Sequence, residues 1–167
     1  MTYDARAVAN ALLDLAGERG IPLTHMAVHK IIYYAHGWYS ARHGKPLVRQ
    51  EFEAWKDGPV LRVVWESLRE AGSKPVTERA TRFDPVKQTR EVVKPNLDAD
   101  DRRFLGDILS AYGHIHAFEL SEMTHAPGGP WDAVWNAPNR RVTLGMRIPH
   151  DAIRMHFQKM ASSCQKA

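Results

Sequence analysis

Apolar residues recur at helical spacing in two stretches near the beginning of the chain. In residues 4–19 they stand three or four positions apart, and Gly20 follows as a typical helix stop. Residues 24–41 repeat the pattern with larger side chains, and Thr24 is a suitable N-cap because its hydroxyl accepts a hydrogen bond from a free backbone N–H. Since only a short link over residues 21–24 joins the two stretches, the pattern predicts two helices that pack as neighbours.

Shorter patterns follow in the middle of the chain. Alternation over residues 51–55 predicts a short strand, and the apolar positions from Leu61 to Leu68 predict the buried face of a third helix. Residues 76–80 and 89–93 are rich in Thr, Val and charged side chains, so we predict two short strands on either side of a turn. The middle of the chain is therefore expected to add a small amount of β-structure.

Helical patterns return in the second half of the chain. A fourth helix is predicted to begin at Asp98 and to break at Gly113, and a fifth covers about residues 115–124. A Gly- and Pro-rich loop then leads to a short helical turn at 131–135, and a last helix begins near Pro149. These patterns predict a mainly α (α+β) protein: a compact helical domain of about six helices with a small strand or hairpin element.

Composition narrows the class of protein. The 167 residues, 44% of them hydrophobic and 25% charged, suit one globular domain, which we place at 1–160, with a flexible C-terminal tail at 161–167. The single cysteine, Cys164, cannot form an intramolecular disulfide, and the N-terminal residues carry Asp4 and no long apolar run, unlike a secretory signal. No apolar stretch approaches the roughly 18–20 residues of a membrane span. We therefore expect a cytoplasmic protein.

Positive charge is concentrated in one segment. The net charge is +4, and residues 74–94 hold six basic and three acidic side chains, an excess of +3. Such a segment permits weak, salt-sensitive association with nucleic acid, but it does not by itself predict a nucleic-acid-binding protein.

Histidine is the residue type that could hold a metal ion. At 100° per residue, His25, His29 and His36 fall within about 40° of one another on the second helix, and the first two could chelate at i, i+4. His36 lies roughly 10 Å along the axis from His29, which is too far for the same ion. Because surface or boundary histidines are the commoner explanation, we predict no metal and no cofactor.

Catalytic templates are absent from the sequence. It contains no GxSxG, GxxxxGK[ST], GxGxxG or CxxC motif. Cys164 and His156 resemble a nucleophile and a base, but a loose tail is a poor place to hold such a pair in contact. We predict that the protein is not an enzyme.

Several blocks of the sequence resemble those of Panacea-domain antitoxins, and they occur in that family's order. The blocks are PLTHMAVHKIIYYAHGWY at 22–39, GKPL at 44–47 with EAWKDGPV at 53–60, LSEMTH at 120–125 with GPW at 129–131, and Ile148-Pro149. The first resembles a loose family pattern of L-T, two residues, then L-Q-K-L-L-Y-Y-A-Q-G-W, with His29 and His36 where Gln is usual. Together the blocks span nearly the whole chain.

The resemblance implies an antitoxin of a two-gene module. Such a protein binds a cognate protein toxin encoded nearby and prevents its action, and in the SocA-like branch it resembles an adaptor that delivers the toxin to the ClpXP protease. The alternative is a DNA-binding regulator, because the first two helices resemble a helix-turn-helix in outline. A recognition helix needs exposed polar side chains near its N-terminus, where this one offers His25, His29 and Lys30.

Two segments are the candidates for the partner-binding face: the second helix and residues 125–135. Both combine aromatic and polar groups beside small residues, a composition that supplies interface anchors. The candidate partner-binding residues are Lys30, Tyr33, Tyr34, Trp55, His125 and Trp131. The competing explanation is that the aromatic side chains belong to the core, which the pattern favours for Trp55. For His125 the competing explanation is that its side chain forms a hydrogen bond with a loop carbonyl beneath a packed Trp131.

Overall fold

Local capping residues set the ends of the main helices. The computed structural model describes residues 1–138 and 146–165. The helices within those ranges are α1 (Ala5–Glu18), α2 (His25–His43), α3 (Arg62–Leu68), α4 (Ala99–Tyr112), α5 (Ala117–Thr124), α6 (Pro130–Trp135) and α7 (His150–Gln165). Asp4, Thr24 and Asp98 cap α1, α2 and α4, because each side-chain oxygen accepts a hydrogen bond from a backbone N–H of the first turn. The strands are β1 (Phe52–Trp55), β2 (Gly58–Val60), β3 (Thr81–Asp84), β4 (Thr89–Val92) and β5 (Arg147–Ile148). The predicted fold class, mainly helical with small β-elements, is confirmed.

Helix α2 lies at the centre of the fold. It contacts α1, α4, α5 and α7, and no residue from 25 to 41 is exposed. Gly37 allows α7 to approach closely, because a Cβ at that position would lie 2.3 Å from the ring of Phe157. Gly44 then ends the helix in the left-handed conformation, with φ 68°. Across residues 1–138 and 146–165, no helix is both long and apolar enough to cross a bilayer.

A three-stranded antiparallel sheet packs beside α2 in the order β2-β1-β5. The register pairs Glu53 with Val60 and Trp55 with Gly58, so a tight turn at residues 56–57 joins β1 to β2. The predicted strand at 51–55 is confirmed. Strand β5 pairs Ile148 with Phe52, and the sequence did not predict it, because two residues carry no periodic signal without the remote strand that they join.

A second hairpin, β3–β4, corrects one predicted strand. The strand predicted at 89–93 is present as Thr89–Val92, but its partner is Thr81–Asp84 and not residues 76–80. The backbone of residues 76–80 bonds elsewhere: Val76 N–H donates to Leu23 O at 2.8 Å, and Ala80 pairs with the side chain of Asn10. The buried Asn10 accepts from Ala80 N–H and donates to Ala80 O and Val93 O, so it holds the base of the hairpin to α1.

Helix α7 also corrects the expected tail. It begins at His150, close to the predicted start near Pro149, and buries Ile153 and Phe157. The helix continues to Gln165, so residues 161–165 are helical and not a loose segment, and the predicted boundary at residue 160 falls inside a helix. The polar composition of residues 161–165 suits an exposed helical turn as well as a loose tail, so composition alone does not separate the two. Residues 166–167 of the predicted tail lie outside the described residues.

Candidate functional site

A small cavity lies where the first half of α2 meets the β1–β2 turn and α3. Its volume is about 150 Å³, and Met26, Trp55, Val60 and Trp65 supply apolar walls. We call it the Lys30 cavity, because Lys30 and His29 of α2 line its inner side, while Lys56 and Asp57 of the β1–β2 turn lie exposed at its rim. The cavity is therefore apolar at its sides and polar at its base.

Lys30 is among the largest fully buried side chains of the described residues, with 1% of its surface exposed. Its Nζ donates a hydrogen bond to Pro59 O at 3.0 Å, which ties α2 to β2. Burial lowers the pKa of Lys30 from 10.5 to about 7, against a smaller opposing effect of Asp57. Gly58 makes room for this side chain: its φ is 108°, and a Cβ there would lie 2.9 Å from Lys30 Cε and 2.5 Å from Thr124 Oγ1. Only glycine fits at that point of the turn.

His29 is equally buried, and one of its ring nitrogens lacks a partner. Its Nδ1 accepts a hydrogen bond from Leu61 N–H at 3.2 Å, and Nε2 has no hydrogen-bond partner. Burial lowers the pKa of His29 well below 6.5, with smaller effects of Lys30 and His25, so the ring is neutral at pH 7. A neutral ring that accepts at Nδ1 carries its proton on Nε2. His29 thus presents an unused N–H donor.

The neighbouring His25 does not complete a metal site. Its ring stands edge-on to that of His29, with centroids 6.1 Å apart, and its Nδ1 also lacks a partner. Within the described ranges, no three His, Cys, Asp or Glu side chains converge on a point where they could hold a metal ion. Since Nδ1 of His29 is already an acceptor for Leu61, chelation by this pair would have to use Nε2.

Trp55 forms the half-buried edge of the cavity, and a polar cluster fixes its position. Its Nε1 donates to Glu53 Oε2 at 2.8 Å, and Arg62 donates two hydrogen bonds to the same carboxylate, at 3.0 and 2.8 Å. Burial would raise the pKa of Glu53, but the hydrogen bonds from Arg62 and Trp55 outweigh it and hold the pKa below 4.5. The indole also meets Trp65 edge-on at 5.1 Å, so it is held from both sides.

A stack of two rings adjoins the same turn. The ring of His125 lies on that of Trp131, with centroids 3.9 Å apart and an interplanar angle of 19°. The Nε1 of Trp131 donates to Trp55 O at 2.7 Å, and Ser121 of α5 donates to Asp57 O. Four of the six candidate residues (Lys30, Trp55, His125 and Trp131) therefore gather around the β1–β2 turn.

Comparison with known proteins gives the family. The family model described as "Antitoxin SocA-like, Panacea domain" matches residues 28–132, which is more than half of the chain. The match includes α2 from residue 28 onward, the β1–β2 turn and the His125–Trp131 stack. The chain belongs to this family. Antitoxin SocA of Caulobacter vibrioides (strain NA1000 / CB15N) is 40% identical over 164 residues, which cover 97% of this chain and 87% of that protein. No solved structure matches the chain.

Tyr33 and Tyr34 lie in the core of this Panacea domain, away from the β1–β2 turn. They are 2% and 5% exposed; Tyr33 contacts the rings of Phe52 and Phe157, and Tyr34 stacks on Tyr112 at 4.4 Å. The expectation that the two tyrosines are exposed anchors is therefore corrected. The physical reason is that α2 is surrounded by other helices and has no outer face at these positions.

Lys30 and Trp131 are also buried in the Panacea domain, at 1% and 5% exposure, while Trp55 and His125 are half-buried. The Trp131 side chain acts on the site through its hydrogen bond to Trp55 O, and His125 stacks on that indole. The His125 Nε2 has no hydrogen-bond partner, so the expected bond to a loop carbonyl is not formed by that atom.

Two exposed apolar residues on α5 were missed by sequence reasoning. Phe118 is 68% exposed and Met123 is 39% exposed. The helix buries Leu120, Ser121 and Thr124 instead, at i, i+1 and i+4 spacing. That spacing could have predicted their exposure. It places two hydroxyl side chains on the inner face of the helix, so the larger apolar side chains point outward.

The burial of α2 also bears on the DNA-binding alternative. A recognition helix enters the major groove with exposed side chains at its N-terminal end. In this Panacea domain His29 and Lys30 are buried, and residues 25 to 41 offer no exposed side chain to a groove. Helix α2 therefore cannot act as a recognition helix in this conformation.

Proposed function

We propose that this Panacea-domain protein is an antitoxin that binds and neutralises a cognate protein toxin encoded nearby. The observation that carries the proposal is the family match over residues 28–132 together with 40% identity to antitoxin SocA along nearly the whole chain. The protein acts in the cytoplasm by forming a complex, without a catalytic step or a cofactor. The inaccessibility of α2 favours this function over the DNA-binding alternative.

The toxin-binding surface lies around the β1–β2 turn and the outer face of α5. Trp55 and His125 are accessible there, and Phe118 and Met123 add exposed apolar area on the adjoining helix. Aromatic and methionine side chains are enriched at protein interfaces, where they supply most of the binding free energy. Lys30 and Trp131 contribute from beneath, because their hydrogen bonds to Pro59 O and Trp55 O hold the turn in place.

The primary experiment is expression of the neighbouring gene with and without this protein. The neighbour alone should arrest growth, co-expression should restore growth, and the two proteins should co-purify. A harmless neighbour that does not bind this protein would contradict the antitoxin function.

Surface variants test where the toxin binds. Phe118→Ala and Met123→Ala should each weaken toxin binding by about 1–3 kcal/mol while the melting temperature changes little, because both side chains are exposed on α5. Val86→Ala is the matched control, because Val86 is 90% exposed on the β3–β4 hairpin, away from the proposed surface. If Val86→Ala weakens binding and the other two variants bind normally, the surface lies on the hairpin.

The protein further acts as an adaptor that delivers the toxin to ClpXP. The motivation is its similarity to SocA alone. Toxin half-life in cells with active ClpXP should shorten when this protein is present, and this protein should outlast the toxin. Equal toxin half-lives with and without it would leave occlusion of the toxin as the mechanism.

A further inference from the structure

The base of the Lys30 cavity presents a hydrogen-bond donor that the fold does not use. His29 is 1% exposed, and its Nδ1 accepts from Leu61 N–H. Its Nε2 is buried without a hydrogen-bond partner, in a residue that lines the cavity. More than nine in ten buried polar groups in proteins are hydrogen-bonded, and a buried donor left unpaired is destabilising. An acceptor that enters the cavity would satisfy this N–H.

Beside this donor lies a buried amine with unused donors of its own. An ammonium has three N–H groups, and Lys30 donates to Pro59 O while forming no ion pair with the described part of the chain. A buried charge of this kind is normally compensated by a carboxylate. Asp57 is the acidic side chain among the residues that line the cavity, and it lies exposed at the rim. It raises the pKa of Lys30 by less than burial lowers it, so it compensates the buried charge only in part.

The walls and size of the cavity restrict what can enter. About 150 Å³ between Met26, Trp55, Val60 and Trp65 accommodates a group of a few heavy atoms with an apolar stem. A phosphate carries nearly two charges and three acceptor oxygens, more than one ammonium and one imidazole N–H can satisfy. A carboxylate has one charge and two oxygens, which match these two donors.

We propose that the Lys30 cavity binds a carboxylate on a short apolar stem, with Lys30 Nζ and His29 Nε2–H as its two donors. The carboxylate comes from a free small acid or from the surface of the bound toxin, and the chemistry of recognition is the same. Trp55 and Trp65 pack against the stem and report its arrival.

The test is titration of the purified full chain with propanoate, followed by tryptophan fluorescence and by NMR of the His29 ring. Propanoate should saturate with a Kd on the order of 10 mM, a value typical of so small a ligand. It should slow exchange of the Nε2 proton. Propanamide has the same shape without the charge and should not bind. If the two compounds give the same response, or neither saturates, the proposal is overturned.

Two variants remove the donors one at a time. Lys30→Met removes the amine and should abolish propanoate binding. His29→Asn keeps an acceptor at the position of Nδ1 for Leu61 N–H but removes the Nε2 donor, and it should weaken binding about tenfold, the effect of one hydrogen bond to a charged group. Lys45→Met is the matched control: Lys45 is exposed fifteen residues further along the chain, and binding should be unchanged. Binding that persists in Lys30→Met would overturn the proposal.

Dependence on pH gives a readout that a purely structural role would not produce. Burial lowers the pKa of Lys30 to about 7, so the amine loses its charge as pH rises from 6 to 9, and propanoate affinity should fall by about tenfold or more. The groups that face it are His25 and His29 on α2, and Lys56 and Asp57 on the β1–β2 turn. The lowered pKa values of His25 and His29 keep both rings neutral above pH 7. An affinity independent of pH would overturn the role of Lys30.

A competition experiment with the toxin identifies the source of the carboxylate. This part of the proposal rests on the proposed function. If the toxin supplies the carboxylate, propanoate should compete with toxin for the wild-type chain. If propanoate leaves toxin binding unchanged, the ligand is a free acid. Failure to find any toxin would contradict the proposed function but leave the propanoate titration fully interpretable.

Discussion

Replacing Lys30 by methionine should stabilise the protein at pH 6 and lose this advantage by pH 9. Methionine has a similar length, fits the apolar surroundings of the side chain and carries no charge. The pKa of Lys30 is about 7 in the folded chain and 10.5 when it is not buried. Between these values the unfolded chain binds more protons than the folded one, so the free energy of unfolding of the wild type rises with pH. Below pH 7 both states are protonated and the full penalty of the buried charge is present.

The magnitude follows from the pKa difference. One pKa unit corresponds to about 1.4 kcal/mol, so Lys30 should raise the stability of the wild type by about 2–3 kcal/mol between pH 7 and pH 9. The full penalty below pH 7 is about 5 kcal/mol. Methionine leaves Pro59 O without its donor, which costs about 1–3 kcal/mol at every pH. Lys30→Met should therefore be more stable than the wild type by about 2–4 kcal/mol at pH 6 and about equally stable at pH 9.

Urea denaturation of both proteins at pH 6, 7, 8 and 9 measures this difference. The range stops at pH 9 because burial raises the pKa of Tyr33 and Tyr34, and ionisation of tyrosines in the unfolded chain lowers stability at higher pH. Subtracting the two curves cancels groups that titrate equally in both proteins. Lys74→Met, which removes an exposed lysine away from the cavity, should run parallel to the wild type. Parallel curves for Lys30→Met would refute the buried, uncompensated charge.

Three further predictions concern stability. Asn10→Ala leaves the backbone groups at the base of the β3–β4 hairpin unpaired, so urea denaturation should show a loss of about 2–4 kcal/mol. The hairpin amides should lose hydrogen-exchange protection first. Retained protection there would contradict the proposed role of Asn10 in holding the hairpin to α1. Gly37→Ala places a Cβ against the ring of Phe157 and should lower the melting temperature markedly, whereas Gly17→Ala, at an open position, should not. Burial would raise the pKa of Asp4, but hydrogen bonds from arginine side chains outweigh it and hold the pKa well below 3.8. Asp4→Asn should therefore cost about 1–3 kcal/mol at pH 7 and progressively less as the pH falls below 3.8, where the wild type loses part of the same stabilisation; a cost that does not change with pH would exclude an ionic contribution.

The sequence by itself determined the elements whose signals are local. Thr24 and Asp98 cap helices as their side chains predict, and the strand at 51–55 follows from alternation over adjacent residues. The family also followed from the sequence, because its blocks are defined by residue types in order. Each of these conclusions depends on neighbouring residues, and no distant contact changes them.

Tertiary structure alone decided which residues are accessible. The polar residues His29 and Lys30 and the aromatic Tyr33 and Tyr34 all lie in the core, because helices from both halves of the chain surround α2. Strand β5 exists only through its pairing with β1, and residues 76–80 are not a strand because remote groups occupy their backbone donors and acceptors. The sequence did not predict the Lys30 cavity, for the same physical reason. Its two donor residues are adjacent on α2, but the segments that bury them and form most of the apolar walls lie about thirty residues away. Only folding brings these segments into contact with α2.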